Sequence, residues 1–558
     1  MTKKWWHDSI VYQIYPKSFQ DTNGDGVGDV NGIIDHLDYL KELGVNVIWI
    51  CPIFKSPMVD HGYDISDYYE IDPSFGTMKD MDELIEEAKK RDIKILMDLV
   101  INHSSDKHIW FQKAMEDLNS KYADYYIIKE GKDGNPPNNW RSIFGGSAWE
   151  RIGDTNKYYL HLFTKGQPDL NWENEELRNE LYKMVNYWLE KGLGGFRVDA
   201  ISHIKKNFDY VNLPADGPDG LVGAWEYYQN AEGIGEFLNE LKEKTFKIYD
   251  SMTVAEADKL EGEKLRRFIG EDGYFSTVFD FSHAPYRIRE KNWKDNHIAM
   301  INEIRDRIFE KQLSSIDCGF LSNFIENHDM PRSADRLIPQ EDISFYSETM
   351  LATMYFFLRG IPFIYQGQEI GMRDFPKKSI KEFLDVPTYQ IYDRMLKEGL
   401  TKEEALNKIN IESREHSRTP FQWSTQKNAG FSAGTPWFDI NPNYKEINAE
   451  KQIEDEDSLL SYYKKLTLLR SHEEYKEVFV YGDFIPLYNV KDGIIAYERK
   501  DDNKRIIVIN NWTNKEYILD FNEVLKKILL NNYNKLFIDN ASIKLMPYQA
   551  VVMEVGVG

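Results

Sequence analysis

Four short segments place acidic side chains where an apolar run stops: DLVINH (98–103), GFRVDA (195–200), TVAEA (253–257) and ENHD (326–329). Arg197 and Asp199 stand two residues apart. In an extended chain that spacing sends both side chains to the same face. A carboxylate with a fixed cation beside it stays ionised and can serve as a nucleophile. The pair could equally be a structural ion pair, and a lone acid at a strand end is commonly a helix cap. Four such endings in series give the chemical reading its weight. A second candidate is DTNGDGVGD (21–29). Oxygen-bearing side chains alternating with glycines follow the logic of a Ca²⁺ loop. It is not an EF-hand, because Gly32 stands where the closing Glu would be. A solvated acidic loop is the other reading.

The elements that must position these acids come next. Apolar or β-branched runs at 11–15, 45–50, 93–100, 195–200, 252–257, 278–281, 323–325 and 362–366 read as eight strands. Helical patterns separate most of them, such as MDELIEEAKKR (81–91). This alternation predicts an α/β fold, a closed (β/α)8 TIM barrel with its site at the C-terminal strand ends. The catalytic barrel is expected over 1–103 and 175–477. A polar, Gly- and Pro-rich subdomain is inserted after strand three at 104–174. Another insertion follows strand eight at 373–447, with a charged helical run at 393–408. Short alternating runs predict a C-terminal antiparallel β-sandwich over 478–558.

Composition excludes several classes. Of the 558 residues, 69 are Lys or Arg and 92 Asp or Glu, a net charge of −23, which repels phosphate backbones and anionic lipid. Cys51 and Cys318 both lie in apolar runs, too few for a disulfide framework or a zinc site. The N-terminus has no signal-peptide core, and the longest apolar run (350–365) is broken by Arg359, Gly360 and Pro362. A cytoplasmic protein with no membrane or nucleic-acid partner is expected.

The four acid-bearing segments resemble the signature regions of the α-amylase superfamily, glycoside hydrolase family 13. QPDLNW (167–172), the opening WWHDSIVYQIYPKSFQDTNGDGVGD (5–29) and HSRTPFQW (416–423) are similar to the oligo-1,6-glucosidase subfamily. The resemblance implies retaining α-glucosidase chemistry, releasing terminal glucose from short oligosaccharides. It implies Asp199 as nucleophile, Glu256 as general acid and base, and Asp329 as the third carboxylate. Arg197 is expected to hold Asp199 ionised. Asp60 and Arg414 would close the glucose pocket, Tyr63 and Phe163 would wall it, and His103, Gln167 and His328 would bind hydroxyls. The resemblance further implies a structural Ca²⁺, or Mg²⁺, held by Asp21, Asn23, Asp25, the Val27 carbonyl and Asp29, and no organic cofactor. The implied partner is a small oligosaccharide, and the implied state a monomer or weak homo-oligomer.

The sequence departs from the pattern at two positions. Met330 follows Asp329 where many relatives carry Gln. Ala200 follows Asp199 where α-1,6-preferring relatives carry Val, which points to α-1,4 activity. Alternatives on the same scaffold are a sucrose-isomerase-like transferase and a trehalose-6-phosphate hydrolase; outside catalysis, a sugar-binding relative. The isomerase motif, an arginine-rich loop before ENHD, is missing from NEIRDRIFEKQLSS (302–315), and no phosphate-binding cluster is evident.

Overall fold

A computed structural model describes residues 2–556 apart from 208, 271 and 540. Eight short apolar strands, buried almost throughout, form the barrel: β1 (Val11–Ile14), β2 (Val47–Ile50), β3 (Lys94–Val100), β4 (Gly195–Asp199), β5 (Met252–Ala255), β6 (Thr277–Phe279), β7 (Phe320–Asn323) and β8 (Ile361–Tyr365). They run parallel and close in the order β1-β8-β7-β6-β5-β4-β3-β2. Strands covered by helices on one face and a plugged interior on the other must be apolar on both. Trp49, Leu96, Phe279, Phe320 and Phe363 belong to that interior plug. The helix expected over 81–91 spans Met78–Lys90, begun by a capping box between Thr77 and Asp80.

Two elements differ from expectation. The seventh strand covers Phe320–Asn323, not 323–325. Its Ser322 and Asn323 are buried polar residues. Ser322 Oγ meets Thr277 Oγ1 at 2.8 Å, and Asn323 Nδ2 donates to the Arg359 carbonyl at 3.3 Å. Buried polar pairing inside a strand removes the apolar run that would reveal it. The charged run at 393–408 is two helices, Val386–Lys397 and Lys402–Glu412. Gly399, at φ 97°, follows the first, and Thr401 caps the second with Glu404.

The segment after β3 contributes a three-stranded antiparallel sheet of Ile128–Glu130, Lys157–Leu160 and Trp149–Arg151. It is anchored to the barrel by a fully buried ion pair, Lys206 Nζ to Asp169 Oδ2 at 2.7 Å. The C-terminal part is a five-stranded and a three-stranded antiparallel sheet sharing an apolar core that includes Ile507, Leu519, Ile543 and Val551. Among the described residues no helix is long and apolar enough to cross a membrane.

Candidate active site

The strand ends converge on Arg197. Register sets Asp98 of β3 beside Arg197 of β4. Arg197 Nη1 donates to Asp98 Oδ1 and Asp199 Oδ1, each at 2.7 Å, and Nη2 lies 2.8 Å from Glu256 Oε1. Glu256 Oε2 also accepts the Ala200 N–H at 2.9 Å. One guanidinium thus fixes three carboxylates, and Asp199 and Glu256 sit on its neighbouring nitrogens. The guanidinium rests 5.2 Å from the centre of the Trp49 ring, directly over the barrel plug.

A second chain of bonds steadies this hub. Gln13 Nε2 donates to His328 Nδ1 at 2.7 Å, so His328 carries its proton on Nε2. That Nε2 meets Tyr63 Oη at 2.6 Å and Asp329 Oδ2 at 3.2 Å, while Tyr63 donates to Asp98 Oδ2 at 3.0 Å. Burial pushes His328 down to about 3 and His103 to about 4, so both are neutral hydrogen-bonding groups near pH 7. The proton on Nε2 therefore serves Tyr63 Oη, and Asp329 lies beside a neutral ring.

Asp329 accepts from Arg418 Nη2 at 2.7 Å and Arg414 Nη1 at 3.0 Å. Arg414 also binds Asp60 at 2.9 Å and Asp385 at 2.7 Å, joining three parts of the chain at the site. Gln167 Nε2 reaches Asp60 Oδ2 and His103 Nε2, both at 3.1 Å. Asp60, His103, Asp329, Asp385 and Arg414 line a cavity of about 390 Å³ with Tyr63, Phe144, Phe163, Asp199, Ala200 and Glu256. All the acids and pocket residues inferred from the motifs therefore fall in one place. Arg197, Gln167 and His328 stand just behind the wall.

Charge is distributed unevenly. Desolvation opposes ionisation of Asp329, but His328, Arg414, Arg418 and Arg197 outweigh it and hold its carboxyl well below the usual range. Asp199 goes the other way. Burial pushes it well above the usual range, Arg197 opposes, and the charges of Glu256 and Asp98 add to the push. Burial likewise raises Asp98 to about 6. Arg197 favours the charge on Asp199 as expected, but burial opposes it and the guanidinium is shared with Asp98 and Glu256. Burial disposes Asp98 and Asp199 toward retaining a proton.

Asp98 and Arg418 lie inside the motif segments DLVINH and HSRTPFQW without a role that the motifs themselves mark. Asp385 and Phe144 carry no sequence signal; one comes from the insertion after β8 and the other from the insertion after β3. The stretch 302–315, compared above with an isomerase loop, lies within the helix His297–Ser315. Apolar Ile301, Ile304 and Ile308 at helical spacing explain why. The loop that does follow β6 has Arg287 and Arg289. Arg287 donates to the Tyr286 carbonyl at 3.0 Å, and Arg289 to Asp374 at 2.6 Å.

The loop at 21–29 lies apart from this cavity. Asp21 Oδ1, Asn23 Oδ1 and Asp25 Oδ1 each accept the N–H two residues on, and Asp29 Oδ1 accepts from Gly32 as a helix cap. Ser432 donates to Asp21, and Trp437 N bonds the Gly26 carbonyl, so the loop ties the chain's start to the insertion after β8. Its oxygen donors suit a hard cation chemically. Among the described residues, however, no three His, Cys, Asp or Glu side chains converge as a metal cluster.

Comparison with known proteins agrees with this geometry. The α-amylase catalytic-domain family matches residues 13–482, and the α-amylase SusG C-terminal domain matches 494–552. Oligo-1,6-glucosidase of Bacillus cereus is 41% identical over 99% of this chain and 100% of its own. The crystal structure of Bacillus licheniformis trehalose-6-phosphate hydrolase has a TM-score of 0.89 at 39% identity, covering 99% of this chain and 100% of that one. The isomaltulose synthase of Protaminobacter rubrum has a TM-score of 0.93 at 36% identity, with full coverage of both. With its catalytic domain matched over most of its length and its acids gathered at the strand ends of a closed barrel, the chain belongs to the α-amylase family and is a glycoside hydrolase of family 13.

Proposed function

We propose that the enzyme is a retaining, exo-acting α-glucosidase that releases terminal non-reducing glucose from short oligosaccharides. The observation that carries this is the shared cavity: Asp199, Glu256 and Asp329 line the same space that Arg414, Asp60 and Asp385 close at one end. A closed end admits one terminal ring. Asp199 attacks the anomeric carbon while Glu256 gives its proton to the glycosidic oxygen, and the leaving sugar departs with it. Glu256 then takes a proton from water, whose oxygen displaces Asp199. Retaining enzymes hold their two carboxyls about 5–5.5 Å apart; neighbouring nitrogens of one guanidinium suit that closeness. Asp329, ionised and hydrogen-bonded, binds sugar hydroxyls and stabilises the cationic transition state.

The test is an incubation with maltose, isomaltose, sucrose and trehalose-6-phosphate, followed by proton NMR. Glucose released first as the α-anomer is expected from maltose and isomaltose. The β-anomer first, or no glucose, overturns the reading. Trehalose-6-phosphate is expected to be a poor substrate. The adjoining cavity is lined by Asp258, Glu261, Asp280 and Glu310 against Lys259, Arg307 and Lys311, so acids outnumber bases around a would-be phosphate.

Ala200 has φ 44° and lines both cavities. Ala200→Val fills space beside the scissile bond and should raise the isomaltose-to-maltose ratio of kcat/KM about tenfold, within the usual 1–3 kcal/mol of pocket discrimination. Ala200 already carries a Cβ in the left-handed region, and a β-branched side chain there should add further strain and lower stability. An unchanged ratio removes Ala200 from linkage choice.

A structural Ca²⁺, or Mg²⁺, at Asp21, Asn23, Asp25, Val27 and Asp29 belongs to the same proposal, supported by donor chemistry alone. Because the loop joins distant parts of the chain, EDTA should lower stability by about 3 kcal/mol if metal was present at a few hundred times Kd. The kcat of the folded fraction should stay the same. Unchanged melting together with a metal-free analysis rejects the site.

A further inference from the structure

The second cavity, about 720 Å³, meets the 390 Å³ pocket at Ile143, Phe163, Ala200 and Glu256. Resting on the glucosidase reading, it is where the leaving part of the substrate goes. It is nearly twice the size of the space for the terminal ring, so it has room for more than one further sugar. One of its walls is Trp225, 41% exposed, on the 207–229 segment that no motif marks.

That exposure comes from a firmly held ring. The Tyr228 ring meets the indole edge-on at 5.5 Å. A Cβ on Gly223 would lie 2.8 Å from Trp225 Nε1, so a glycine is needed for the indole to seat. The segment is clipped to the insertion after β3, where Arg141 pairs with Asp216 and, at 2.7 Å, with Asp219. Lys259 Nζ sits 5.5 Å from the indole, over a face whose electron density draws positive partners. The polarised C–H face of a pyranose is another such partner.

Distance from the reacting bond is set by three rings. Phe163 stands at the throat, His203 lies 6.3 Å from it, and Trp225 a further 6.4 Å from His203. Trp225 lines the outer cavity only. We infer that Trp225 is a stacking platform for the second leaving-group sugar, which makes trisaccharides better substrates than disaccharides. A rigid, open aromatic face keeps its ordering cost low, since little freedom is lost on binding.

The experiment compares maltose with maltotriose. Trp225→Ala should lose about tenfold more kcat/KM on maltotriose than on maltose, and Trp225→Phe should recover most of that difference. Equal losses on both sugars, or no loss on either, overturn the platform. Calorimetry in the Asp199→Asn background separates it from the hydrolase reading. There Trp225→Ala should weaken maltotriose binding about tenfold more than maltose binding. If that difference persists in a protein whose native form releases no glucose, the platform stands and the glucosidase reading falls. If it is absent, the platform falls whatever the turnover.

Discussion

Asp199→Asn should lower kcat on maltose by about 10⁴-fold or more, as loss of a covalent nucleophile does elsewhere, and leave the protein no less stable. The second half distinguishes a catalytic acid from a structural one. Asp199 has its folded-state ionisation pushed upward by burial. A carboxyl raised in this way favours folding below its unfolded pKa and loses that contribution as pH climbs through the folded value. At neutral pH its charge is a burden on the fold. Asn removes the charge, keeps the shape and leaves Arg197 with Asp98 and Glu256. Glucose release and urea unfolding at pH 7 check both halves. Near-normal kcat refutes the nucleophile; a clear loss of stability makes Asp199 a structural partner.

Arg197→Met, by contrast, should remove activity and stability together. The guanidinium is 2% exposed and touches three acids. Taking away one partner of a buried ionic cluster costs about 3–5 kcal/mol, because the remaining charges stay behind unpaired. Arg197→Lys, with one nitrogen in place of the fork, should recover part of the stability and little kcat. Adding Asp199→Asn to Arg197→Met should restore some stability, a coupling that a double-mutant cycle in urea measures. Additive losses would mean that Arg197 and Asp199 do not share one cluster.

Legibility in the sequence followed the physics of each part. The barrel could be read because buried strands must be apolar on both faces, and its acids because they stand where those runs stop. β7 lies earlier than the apolar pattern suggests because its Ser322 and Asn323 are buried polar residues that find partners in Thr277 and the Arg359 carbonyl. Asp60, Arg414 and Asp329 were inferred from resemblance, whereas the division of Arg197 among three acids required register between β3 and β4. Asp385 and Trp225 were illegible. Their surroundings are built from insertions whose return path no periodicity encodes.

Closure of the barrel has a consequence for how the protein is made. β1 pairs with both β2 and β8, the latter through Val11 opposite Phe363. During synthesis at about 5–20 residues per second, the first strand therefore waits roughly 20–70 s for its second neighbour. Until then one edge of β1 has unpaired backbone and apolar side chains on view. Arg414 and Arg418, which anchor Asp329, emerge later still. The nascent chain thus spends that interval as an open, sticky sheet with no working pocket, the stage at which a chaperone's grip or a slower codon would matter most.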